Sequence, residues 1–123
     1  MVFLDANILL ELALTDRRKK LQVIQFLDGG EDFMMSILSV HLLIYFGLKD
    51  GLVLEDLFGI ADSYKLLDIN EDDYEWAKKH CVDGDFEDAL QVASAVRNQA
   101  KDFVTLDANL AKNYEKFIKI TLL

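Results

Sequence analysis

Asp5, Asp85, Glu87, Asp88 and Asp107 are the residues of this 123-residue chain whose type and placement could do chemistry together. Asp5 closes the apolar run Val2-Phe3-Leu4, and Asp107 follows Phe103-Val104-Thr105-Leu106. Asp85-Phe86-Glu87-Asp88 opens a strongly amphipathic segment. Three acidic junctions brought to one place would repel one another unless a cation lay between them. Ligands that are all oxygen select Mg²⁺ or Mn²⁺ over zinc. Such ions hold phosphates and activate water, the chemistry of phosphodiester hydrolysis. Each acid also has a structural account. Asp5 or Asn7 can cap a first helix, Asp85 can be an N-cap with Asp88 at the third helical position, and Asp107 can cap a helix opening at Ala108. Helix N-termini favour negative charge in any case.

Convergence depends on the elements that carry these junctions. Val2–Leu4, Phe33–Met35, Phe103–Thr105 and Phe117–Ile120 read as short strands, with Tyr64–Leu67 as an edge strand. Helical spacing runs through Ile8, Leu9, Leu12 and Ala13. Further helices are expected over Asp16–Leu27, from a Ser39 cap through Phe46, over Leu52–Tyr64, Glu71–His80, from Asp85 onward, and over Ala108–Asn113. Strands of three or four apolar residues separated by helices predict a parallel sheet covered on both faces, an α/β/α sandwich. In such sheets ligands bind outside the carboxyl ends of the strands. Asp5 and Asp107 would both stand there.

Composition bounds the rest. Hydrophobic residues make up 52% and charged residues 28%, which excludes disorder, and nothing resembling a linker or repeat divides residues 1–123. A lone Cys81 excludes an intramolecular disulfide. The chain has no apolar run long enough to span a membrane, and its N-terminus lacks the basic region of a signal peptide, so a cytoplasmic location is expected. A net charge of −9 gives no global attraction to nucleic acid. The charge is uneven, with nine acids crowding residues 68–88 and Arg17-Arg18-Lys19-Lys20 as a basic counterpart. His80-Cys81 has no partner pair for zinc, and neither a phosphate loop nor a nucleophile elbow is present.

Three motifs carry a family resemblance. Val2-Phe3-Leu4-Asp5-Ala6-Asn7-Ile8-Leu9-Leu10 resembles the opening motif of PIN domains, and Asp85-Phe86-Glu87-Asp88-Ala89-Leu90 resembles their second acidic motif. Phe103-Val104-Thr105-Leu106-Asp107 resembles the last. In order and spacing they span almost the whole chain, and the DFEDA version is similar to a VapC-like bacterial group. The resemblance implies a three-layer α/β/α fold with a mainly parallel sheet and Mg²⁺- or Mn²⁺-dependent RNA cleavage. It also implies a homodimer and, often, an antitoxin protein as partner. On this reading Asp5, Asp88 and Asp107 are catalytic and bind the metal together with Asp85. Asn7, Glu87, Thr105 and Ser36 support them, and Arg17–Lys20 with Lys49 could track an RNA backbone.

One motif departs. The family pattern S-x-x-[ST]-x-x-E falls on Ser36, Ser39 and Leu42, so a leucine stands where a metal-site glutamate is usual. His41 lies about 100° round the helix and is a poor substitute, whereas Asp85 or Glu87 could fill the gap. Leu42 keeps open a degenerate domain that binds RNA or protein without cutting. A phosphatase is disfavoured by Asn7 in place of a second aspartate, and a receiver domain by the lack of a lysine after Phe103–Thr105.

Overall fold

The computed structural model describes residues 1–123. Five strands are present: β1 (Val2–Leu4), β2 (Phe33–Ser36), β3 (Lys65–Leu67), β4 (Asp102–Thr105) and β5 (Ile120–Leu122). The seven helices are α1 (Ala6–Ala13), α2 (Lys20–Leu27), α3 (Ile37–Lys49), α4 (Leu54–Ala61), α5 (Glu71–His80), α6 (Phe86–Arg97) and α7 (Ala108–Tyr114). All strand pairings are parallel, in the order β3-β2-β1-β4-β5.

Strand alternation divides the apolar residues between two cores. Val2, Leu4, Phe33, Met35 and Val104 face one side, where Ile8 and Leu9 of α1, Val23 of α2, Leu43 of α3 and Leu57 of α4 cover them. Phe3, Met34, Leu67 and Phe103 face the other, under α5, α6 and α7. Phe3 and Phe103 stack at 5.1 Å, both fully buried. Each such side chain contributes about 1.5–3 kcal/mol through burial. The three layers expected from the sequence are therefore present.

The order of strands fixes where a ligand can bind. From β1 the chain winds outward through β2 to β3, then returns to the opposite side of β1 as β4 and continues to β5. The carboxyl ends of β1 and β4 therefore flank the point where strand order reverses, and there the two connections diverge and leave a crevice.

Several boundaries differ from those read off the sequence. α3 begins at Ile37 rather than after Ser39, because Ser36 is its N-cap and accepts from the Ser39 amide at 3.1 Å. α2 begins at Lys20 rather than Asp16, which sits at φ +54 in a loop. The last strand lies at Ile120–Leu122, not Phe117–Ile120. Pairing of Phe103 with Ile120 sets that register, while Phe117 packs its ring on Trp76 at 5.0 Å. α4 is shorter than Leu52–Tyr64, and Gly47 lets it approach α3 closely. A Cβ on Gly47 would lie 2.6 Å from the Leu57 side chain.

Candidate functional site

Asp5 leaves β1 as the residue before α1, and its amide pairs with the Val104 carbonyl at 2.9 Å. The parallel pairing of β1 with β4 thus delivers it to the switch point. It stands where an N-cap would, yet makes no side-chain cap. Its Oδ2 accepts instead from the Thr105 hydroxyl at 2.7 Å. Thr105 Oγ1 in turn accepts from Asn7 Nδ2 at 3.2 Å and from the Asp107 amide at 3.0 Å. Asn7 Oδ1 accepts from the Leu106 amide at 3.2 Å, so Asn7 orients the β4–α7 connection rather than capping α1. Asp5 and Asn7 of one segment are thereby locked to Thr105, Leu106 and Asp107 of the other across β1 and β4.

The remaining acids come from two helix starts. Asp107 caps α7, its Oδ1 accepting from the amides of Asn109 and Leu110. Asp85 caps α6, its Oδ1 accepting from the Asp88 amide at 3.2 Å. The capping account of these two residues is therefore correct as far as it goes. Each cap occupies one oxygen and leaves the other outside it. Asp85, Asp88 and Asp107 line one cavity of about 400 Å³ with Asp83, Asn109 and Lys112.

Electrostatics show that the acids feel one another. Burial pushes the Asp5 carboxyl up to about 6, with Glu87 and Asp107 adding repulsion and the Thr105 hydrogen bond opposing it. Burial also pushes Asp88 up to about 8, helped by hydrogen bonding with Asp85 and by the charges of Asp5, Asp85 and Asp107. Glu87 is raised by partial burial and then by Asp85. The carboxyl groups are an all-oxygen donor set of the kind that suits a hard divalent cation. As they lie, no three acidic, histidine or cysteine side chains are close enough to share one ion.

The other expected residues fall elsewhere. Ser36 does not bond to the acids. Its hydroxyl donates to Gln91 Oε1 at 2.6 Å, while Gln91 Nε2 donates to Ser39 Oγ at 2.8 Å. This fully buried triad ties α6 to the start of α3 three residues beyond Asp88. Sequence reading missed Gln91, although an amide between Ala89 and Val92 on an apolar face needs buried partners. Leu42 is the sixth residue of α3, not the third residue of a helix capped by Ser39, so it has no place in a capping box. It is half-buried and packs into neither core. His41 is exposed, with its ring stacked on Tyr45 at 6.3 Å.

Comparison with solved structures returns the same architecture. A toxin–antitoxin complex from Klebsiella pneumoniae superposes with TM-score 0.77 at 15% identity, covering 98% of this chain and 96% of that one. VapC20 of Mycobacterium tuberculosis, described as a sarcin–ricin-loop-cleaving toxin, gives 0.74 at 14% identity, with 91% and 94% covered. FitAcB from Neisseria gonorrhoeae gives 0.69 at 19% identity over 98% and 96%. At such identities these likenesses speak for the fold. A search of curated proteins finds no match. The sequence itself matches the family model of the PIN domain over residues 2–116, which takes in β1, the switch point and both acidic helix starts. A match of that extent, over nearly the whole chain, shows that the chain belongs to the PIN domain family.

Proposed function

We propose that this domain is a metal-dependent endoribonuclease, the toxin of a VapBC-type toxin–antitoxin pair. The observation that carries the reading is the gathering of acids from three chain segments at the switch point, with Asp85, Asp88 and Asp107 lining one cavity and Asp5 beside them. Burial first, and then the neighbouring carboxylates, pushes Asp88 up to about 8, which a cation would relieve. Asp5, Asp88 and Asp107 would hold Mg²⁺ or Mn²⁺ once their side chains turn toward a common point, with Asp85 beside them. The bound ion would supply charge for the scissile phosphate and activation of the attacking water. Thr105 and Asn7 keep Asp5 and the β4–α7 turn in fixed orientation, and Glu87 adds negative charge beside Asp5. The cavity beside Asp88 and Asp107 offers Asn109 and Lys112 to the substrate.

The solved structures of similar fold include complexes named for toxin and antitoxin, and a protein partner fits this surface too. Tyr45, Phe46, Leu48, Val53, Leu54 and Phe58 are exposed along α3 and α4 and the turn between them, which suits a second copy or an antitoxin. Leu42 supports the second reading, a domain that binds RNA or protein without cutting. No helix is long and apolar enough to cross a membrane.

The test is calorimetric titration of Mn²⁺ into wild type, Asp5→Asn and Asp88→Asn, alongside cleavage of a generic single-stranded RNA with and without chelator. Mn²⁺ binding and chelator-sensitive cleavage, both lost in the variants, are expected. Binding of RNA with no cleavage and no Mn²⁺ uptake would establish the second reading.

A further inference from the structure

We infer that the loop carrying Arg17, Arg18, Lys19 and Lys20 is a phosphate clamp that holds the RNA strand on the far side of the β4–α7 connection from the acidic cavity. The inference rests on the ribonuclease reading and names the residues that would grip its substrate.

The loop is built, not loose. The Thr15 amide and hydroxyl both donate to Asp50 Oδ2, at 3.0 and 3.1 Å. The Lys19 amide donates to Oε1 of the buried Glu11 at 2.7 Å, and Lys19 Nζ donates to the Leu123 carbonyl at 2.8 Å. Between these anchors Asp16 holds a left-handed φ of +54, a conformation that costs a non-glycine residue energy. The anchors leave Arg17 and Arg18 exposed at the crest.

Its arginines are unpaired. Lys19 Nζ is bonded to the Leu123 carbonyl, and Arg17 and Lys20 act on Asp50 only through space, yet neither Arg17 nor Arg18 forms an ion pair, although acids outnumber bases 22 to 13 in this chain. The third arginine, Arg97, is fully committed to Asp68 and Asp73. Glu11 and Asp50 spend carboxylate oxygens on backbone and hydroxyl donors of the loop. The cations also crowd the start of α2, against its dipole and with no acid in its first turn. An arrangement that costs stability in isolation is repaid when an anion binds.

Its place is beside the site. Arg17, Arg18 and Lys19 line a cavity of about 410 Å³ with Glu11, Asp16 and Leu106. Leu106 sits between Thr105 and Asp107, and Asp107 lines the acidic cavity. A single strand crossing this connection meets the carboxylates with one phosphate and the guanidinium groups with a neighbouring one. Arginine suits this task through its fixed, bidentate donor geometry. Such contacts position the backbone and read no bases.

The test uses the whole chain and a generic single-stranded oligoribonucleotide, comparing wild type with Arg17→Gln/Arg18→Gln and Arg17→Lys/Arg18→Lys. Binding is followed by fluorescence anisotropy in chelator across a salt series, and cleavage is followed with Mn²⁺. The Gln pair should bind more weakly, with a salt slope reduced by about 1.4, since each lost phosphate contact on single strands contributes about 0.7. Its KM should rise while kcat and Mn²⁺ affinity hold and the melting temperature stays level or rises, and the Lys pair should recover the slope. Intact cleavage with an unchanged slope and KM in the Gln pair would overturn the clamp and leave the ribonuclease reading standing. A wild type that neither binds nor cuts RNA would overturn both. Loss of poly-glutamate binding with an unchanged RNA slope would assign the loop to an acidic protein instead.

Discussion

Replacing Asp5 by Asn should stabilise the metal-free protein at pH 8 and not at pH 4. The Asp5 carboxyl moves from 3.8 to about 6 on folding, chiefly through burial. That is a shift of about two pH units, and at about 1.36 kcal/mol per unit the ionised group costs about 3 kcal/mol. The folded state holds a proton that the unfolded chain releases, so stability falls as pH rises from 3.8 to about 6 and stays lower above it. Asparagine keeps an acceptor for the Thr105 hydroxyl but still desolvates an amide, so the net gain should be about 1–2 kcal/mol. For a chain of this size that is about 4–10 °C in melting temperature. The assay is thermal and urea unfolding of both proteins in chelator between pH 4 and 8. The wild-type curve should fall more steeply than the variant's through pH 4–6 and run parallel to it above. The fall that remains in the variant, from pH 4 to 8, belongs to Asp88, pushed up to about 8. Saturating Mn²⁺ should reverse the ranking, because ligand that binds only the folded wild type adds stability by mass action. Equal stability of the two proteins at pH 8, or a variant that melts lower there, would refute the claim that Asp5 is an ionised group held at a cost.

Four further outcomes are expected. Gln91→Leu strands the buried hydroxyls of Ser36 and Ser39 and should cost about 2–4 kcal/mol in urea unfolding. Arg97→Met leaves Asp73, 1% exposed, with its charge uncompensated except by the Asn70 amide, and should cost about 3–5 kcal/mol, again by urea unfolding. Gly47→Ala forces a methyl against Leu57 at 2.6 Å and should lower the melting temperature by an amount worth about 1–3 kcal/mol. Leu42→Glu, half-buried and outside both cores, should fold and tighten Mn²⁺ binding by calorimetry. Unchanged affinity would mean that Asp85 and Glu87 already supply what the motif lacks.

The sheet, its two-sided burial and the three acidic junctions were legible in the order of residues alone. Runs such as Val2-Phe3-Leu4 and Phe103-Val104-Thr105 are apolar on both faces, which only a covered parallel strand uses. Asp5 and Asp107 were legible because each directly follows or nearly follows such a run, and Asp85 because it opens an amphipathic helix. Local signals misplaced the boundary at Ser36 because two serines three residues apart offer equal caps; in the fold Ser36 takes the Ser39 amide, and Gln91 bonds both hydroxyls beneath it. The last strand slipped for a related reason. Phe117 is as apolar as a strand residue, but Trp76, far away in sequence, claims its ring. What tertiary structure alone decided was proximity: the return of the chain to β4 beside β1 brings Asp5 to Thr105 across an interval of 100 residues. No local propensity encodes that return, because it follows from burying both faces of the sheet with connections of one hand. The same packing supplies the burial and mutual repulsion that raise Asp5 and Asp88, turning acids that read as ordinary helix caps into a strained centre.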